Sequence, residues 1–231
     1  MASFRSAVGT HAAATSEITA DLPAGIVAGD LLVMYVAKTQ TDRPVAPDGW
    51  FDLGFYDHGI GSRRVSMGCW TIATAALVAA GTQDVVCTTS TNDATMRANV
   101  LAFDISDWDG LRWNMSDFTH ATGGTTLAGT SLTTIFANGI SIVFHAVGVT
   151  SRTDVGTTTE GGVASDHWPT ETFSPRVWYN VAETGELAEI ATIGNAGTIN
   201  ATQTGFACFG PSPDATTVDP CPDFDGVRVG F

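Results

Sequence analysis

The run from Leu22 to Trp50, LPAGIVAGDLLVMYVAKTQTDRPVAPDGW, constrains the fold of this chain more than any other stretch. A Pro/Gly turn opens it and a Pro-Asp-Gly turn closes it, bracketing Leu31–Ala37 (LLVMYVA), which is apolar at both parities. Successive side chains of a strand point to opposite faces, so a strand of this kind must be covered on both. Asn99–Ile105 (NVLAFDI) and Ile140–Val149 (ISIVFHAVGV) share the pattern. In an antiparallel protein the second cover comes either from long loops of the same chain or from another subunit, and the latter would imply assembly.

Strand signals recur along the chain, and helix signals are nearly absent. Apolar and β-branched runs bounded by Gly, Pro, Asn and Asp fall at residues 30–37, 50–56, 64–73, 84–89, 97–105, 130–135, 139–149, 176–182, 187–193 and 198–209, with a short one at 227–231. Ile72–Ala80 is alanine-rich, but its threonine and valine and the stop at Gly81 point to a strand end followed by a loop. The expectation is an all-β protein, an antiparallel β-sandwich with jelly-roll connectivity and about ten to twelve strands. Asp107–Thr126 carries Trp108, Leu111, Trp113, Met115 and Phe118, too many large apolar groups for a free tether. One domain over residues 1–231 is therefore expected, with segment 1–16 and an arm at 210–231 less regular. That arm holds Pro211, Pro213, Pro220 and Pro222 and would close a sheet edge or dock on a neighbour.

The two halves echo each other faintly. Gly29–Val33 has the pattern of Asn138–Phe144, Trp50 that of Trp168, Arg64-Val65 that of Arg176-Val177, and Asn99–Phe103 that of Gly205–Phe209, at offsets near 110 residues. Either a duplicated β-unit or ordinary strand rhythm produces such an echo.

A formal net charge of −14 arises from 15% charged residues, with Lys38 as the sole lysine. A surface of that sign repels phosphate and anionic head groups, which argues against nucleic acid and membrane as partners. The N-terminal stretch lacks the apolar core of a secretory signal, and no segment approaches the roughly 20 apolar residues of a membrane span; synthesis in a cytoplasm is expected. Cys69, Cys87, Cys208 and Cys221 are too sparse for a disulfide scaffold and form no Cys-x-x-Cys pair. Buried free thiols are the first reading, and a Cys69–Cys87 bridge is the alternative.

No chemistry-bearing constellation stands out. Gly123-Gly124 and Gly161-Gly162 are isolated turn pairs that match no phosphate-cradling pattern. His11, His58, His120, His145 and His167 never pair at ligand spacing, and His145, inside an apolar strand, suits a core or interface role. Asp104, Asp107 and Asp109 before Gly110 crowd oxygen ligands as calcium requires, yet Asp/Gly clusters also make ordinary β-turns; the same holds for Asp219, Asp223 and Asp225. Glu160, Asp166 and Glu171 lie beside Trp168 in a Gly/Thr/Pro-rich loop, the acid-plus-aromatic combination of a sugar site, although a solvated loop has the same composition. No Gly-x-Ser-x-Gly elbow is present. No catalytic residue, cofactor site or metal site is assigned, and an enzyme is not expected.

Residues 22–33 (LPAGIVAGDLLV), followed by Pro47-Asp48-Gly49-Trp50 and the strand Ala98–Ile105, resemble a group of virion-associated β-sandwich proteins of tailed bacteriophages and prophages. The likeness covers about the first 105 residues well and the rest loosely; where such proteins often have an aromatic-Arg-Gly turn, this chain has Phe103-Asp104-Ile105-Ser106. The resemblance implies a non-enzymatic structural protein of the virion, assembled in the host cytoplasm. It would be a capsid decoration or cement protein that binds the major capsid protein or other virion proteins as a homo-oligomer, each contact being repeated by neighbouring copies. The alternative is a carbohydrate-recognising tail or fibre module, receptor-binding through Trp50, Trp113 or Trp168 as stacking platforms.

Overall fold

A computed structural model describes residues 2–12, 15–38, 43–57, 65–88, 95–115, 119–121, 126–127, 132–133, 136, 138–149, 173–181, 187–188, 193–194 and 199–212. Its elements are β1 (Ser3–Ala12), β2 (Glu17–Asp21), β3 (Leu31–Lys38), β4 (Phe51–Asp57), β5 (Val65–Ile72), α1 (Ala75–Ala80), β6 (Thr82–Val86), β7 (Met96–Asp104), β8 (Leu111–Met115), β9 (Thr119–Ala121), β10 (Thr126–Leu127), β11 (Leu132–Thr133), β12 (Ile140–Val149), β13 (Phe173–Val181), β14 (Leu187–Ala188), β15 (Ile193–Gly194) and β16 (Ile199–Pro211).

The principal strands form two antiparallel five-stranded sheets. The first runs β1-β7-β3-β5-β4; the second runs β13-β12-β16-β8, with β9 also on β16. One face of each meets the other in a single apolar core. Leu31, Val33, Tyr35, Trp70, Leu101 and Phe103 from the first sheet pack with Ile140, Ile142, Phe144, Val177, Ala207 and Phe209 from the second. The all-β, sandwich-like expectation is met. Each sheet is drawn from one contiguous stretch, residues 3–104 and 111–211. A jelly roll instead sends its strands back and forth between two sheets, and the described strands do not follow that expected alternation.

Every residue of β3 is buried, as its two-sided apolarity requires. Its outward side chains, Leu32, Met34 and Val36, lie in a second cluster with Ile18 and Ala20 of β2, Val85 of β6, and Trp50. Strands β2 and β6 pair as a two-stranded ribbon, Ile18 opposite Val85. The outer cover of β3 therefore comes from the chain itself, and its apolarity does not call for a subunit contact.

Two expectations need correcting. Segment 1–16, expected to be less regular, carries the ten-residue strand β1, paired along its length with β7. The strand end and loop expected after Ile72 contain the helical turn α1, which Thr74 caps by accepting the Leu77 N–H and Gly81 ends in the left-handed region at φ 68°. Of the run expected at 187–193, Leu187–Ala188 form β14 and Ile193 opens β15, and residues 189–192 lie outside the described residues. Trp108 and Leu111 are buried in the shared core, so the link between the sheets is not a tether. Residues 213–231 of the C-terminal arm lie outside the described residues.

Candidate functional site

The most elaborate polar arrangement among the described residues centres on Arg5. The register of β1 against β7 shifts between Phe4 and Ser6, making Arg5 the extra residue of a bulge. Bulges re-aim a side chain. Here the guanidinium reaches Asp30, with Nε 2.7 Å from Oδ2 and Nη2 2.9 Å from Oδ1, and its Nη2 also lies 3.0 Å from Asp104 Oδ2. Asp30 is buried and accepts the Val27 N–H at 2.8 Å, while Asp104 accepts the Ser106 N–H at 3.0 Å. The hydrogen bonds from Ser106, aided by the Arg5 charge, hold the Asp104 carboxyl below its ordinary value; the Asp30 hydrogen bond is the main influence raising Arg5. Each carboxylate is committed to a fixed donor, so the arrangement works as a clamp joining the β1 edge, the turn before β3 and the end of β7.

A second polar group lies at the other end of β3. Register places Asn99, Tyr35 and Gly68 in one row across the first sheet and His11, Arg97, Ala37 and Ser66 two rows along, on the same face. Tyr35, Ser66, Arg97 and Asn99 are buried, as is Lys38 at the end of β3, and each of these residues takes part in at least one polar or electrostatic interaction. Burial pushes the Tyr35 phenol well above its ordinary value, against a smaller opposing effect of a hydrogen bond with Ser66. Burial, then the charge of Asp52, likewise raises the Cys69 thiol. Both groups are held neutral, which suits structure and not nucleophilic attack.

The residues singled out in the sequence scatter. Asp104 belongs to the Arg5 clamp, and Asp107 and Asp109 are exposed in the turns that follow. Among the described residues no group of His, Cys, Asp or Glu gathers as metal ligands would. Trp50 is buried and donates its indole N–H to Gln83 Oε1 at 3.1 Å, pinning β6 over the sheet. Trp113 is half-buried, its ring 6.2 Å from that of Trp70. Neither is an open stacking platform. Cys69, Cys87 and Cys208 are free thiols, which removes the Cys69–Cys87 bridge; Cys87 Sγ lies 3.7 Å from Met96 Sδ. His11 is exposed on β1, and His120 and His145 lie on β9 and β12. His58, Glu160, Asp166, His167, Trp168, Glu171, Asp219, Cys221, Asp223 and Asp225 lie outside the described residues.

Sequence reading missed the Arg5 clamp because its members are distant along the chain. The available signals were an aspartate immediately after the Gly29 turn and an arginine in an otherwise uncharged strand. Comparison with protein-family models, curated proteins and solved structures finds no match.

Proposed function

We propose that the chain is a non-enzymatic structural protein of a tailed-phage virion, specifically a capsid decoration or cement protein that binds the outer shell. The observation that carries the reading is the resemblance of residues 22–33, 47–50 and 98–105. Those residues are the framework of the first sheet: β3 and β7 are adjacent and buried, and Gly25, Gly29 and Gly49 take the positive φ angles of 78°, 99° and 79° that the intervening turns require. A net charge of −14 suits a position outside a shell that encloses DNA. Binding would be multivalent, each modest contact reinforced by neighbouring copies on the same particle.

The carbohydrate-binding alternative draws less support, because Trp50 and Trp113 are occupied by packing within the chain. Immunogold labelling of purified particles produced by the phage or prophage that encodes the chain tests the proposal. Label distributed over the head in many copies is expected. Label confined to the tail tip would move the reading to the receptor-binding alternative, and a chain absent from particles would overturn both.

A further inference from the structure

Apart from the edge strand β4, which has no counterpart among the described strands, the second sheet repeats the plan of the first. Strand β3 is flanked by β5 and β7, with β1 beyond β7; β12 is flanked by β13 and β16, with β8 and β9 beyond β16. Registers agree. Leu31 pairs with Ile72 and Phe103, and Ile140 with Val181 and Phe209. Phe103 faces Phe4 as Phe209 faces Trp113, and Arg97 faces His11 as Gln203 faces His120. A two-stranded antiparallel ribbon recurs at corresponding places in the chain, with Ile18 opposite Val85 in β2–β6 and Leu127 opposite Ile193 in β10–β15. Before each central strand the same turn forms: Asp30 N–H to Val27 O at 3.2 Å, and Gly139 N–H to Phe136 O at 3.1 Å. Its left-handed position is held by Gly29 at φ 99° and Asn138 at φ 56°. Strand rhythm alone explains neither a common flanking order nor a common register.

We infer that residues 2–104 and 111–211 are two copies of one β-unit, and that the partner fitted by each inner face is a second copy of that unit. The shared core is thus a dimer-type interface enclosed in one chain. In a two-fold interface, whenever one residue touches another across the axis, their equivalents touch as well. The core aromatics obey this relation. Tyr35 and Phe144 are equivalents and pack on each other at 5.1 Å, which places the axis between them. Trp70 and Tyr179 are equivalents, opposite Val33 and Ile142 respectively. Trp70 meets Phe209 edge-on at 5.7 Å and 74°, and Tyr179 meets Phe103 at 5.3 Å and 78°. Trp70 also meets Trp113 at 6.2 Å, and Tyr179 meets Phe4, the equivalent of Trp113, at 4.2 Å.

The axis has a consequence for connectivity. It maps the step from the end of β7 to the start of β8 onto the step from the end of β16 back to β1, so a link like residues 105–110 spans either gap. Two measurements on the full-length chain test the inference. The first is a pair of thermodynamic cycles, Trp70→Leu with Phe209→Leu and Tyr179→Leu with Phe103→Leu, read by urea unfolding. Both pairs should couple, each changing the unfolding equilibrium constant by about three- to tenfold beyond additivity; coupling in one pair and none in the other overturns the inference. The second is a circular permutant opened between Ser106 and Asp107, with Phe231 joined to Met1, expected to fold as a monomer with the parent's near-ultraviolet circular dichroism. A permutant that folds to a different spectrum also overturns the inference, and if it does not fold the cycles decide.

Discussion

At the scale of single residues, the close approaches of backbone to backbone are where this sequence is least free. A Cβ on Gly139 would lie 2.8 Å from the Phe209 carbonyl oxygen and 2.9 Å from that of Phe136. Neither atom belongs to a side chain that could swing aside. Gly81 presents a different case, with open space around it but φ at 68°. Gly139→Ala is expected to lose about 2–3 kcal/mol through overpacking, and Gly81→Ala about 1–2 kcal/mol through left-handed strain. Urea unfolding of both variants checks the order, and equal losses would mean that the backbone around Gly139 yields. Burial sets a second expectation. Lys38 is the sole lysine and is fully buried, so an amine-reactive ester should modify its Nζ only after unfolding, as peptide mapping would show. Modification of Lys38 under native conditions would contradict its placement.

At the scale of elements, the Arg5 clamp replaces what an edge strand lacks in apolar contacts, because most residues of β1 are only half-buried. Asp104 has a folded-state pKa below its ordinary 3.8. The stabilisation it provides is therefore complete above that value and is lost as pH falls through it toward the lowered one. Asp104→Asn should be less stable at neutral pH and should show a shallower decline below about pH 4 than the parent. Melting temperatures across that range check this, and parallel curves would remove Asp104 from the acid response. The clamp belongs to one unit only. Register puts Gly139 and Gly210 where the first unit has Asp30 and Asp104, and there Phe136 packs against Gly210 with the Arg112 guanidinium 4.3 Å from its ring. The same contrast explains what could be read from the sequence. Strands β3, β5, β7, β12 and β16 announce themselves through apolar runs, whereas β1 (SFRSAVGTHA) mixes small, polar and charged residues without a clean period and gains its strand character from pairing with β7. The turn α1 depends on the Thr74 cap and Gly81, which in an alanine-rich stretch look like the end of a strand. The clamp was illegible because a bulge, which no local pattern announces, decides where Arg5 points.

At the scale of the whole molecule, the two-sided apolarity of Leu31–Ala37 has two separate causes. One face meets the other sheet and the other meets the β2–β6 ribbon. Only the first of these ties the halves of the chain together, so the stability of either sheet should depend on the core between them. Trp70 is the test, being fully buried and in ring contact with Phe51 on its own sheet and with Phe209 and Trp113 on the other. Trp70→Ala removes all of these contacts and is expected to cost about 3–5 kcal/mol. If the two sheets form one cooperative unit, unfolding stays a single transition shifted to lower denaturant. Amides in β3 and in β12 should then lose protection from hydrogen exchange by the same factor, although the substitution lies in the first sheet. Loss confined to β3, β5 and β7, with β12 and β16 protected as before, would show that the sheets unfold separately and that the core between them is an interface without cooperativity. The reciprocal aromatic contacts favour the former outcome, because the rings through which Trp70 supports the second sheet are the counterparts of those through which Tyr179 supports the first.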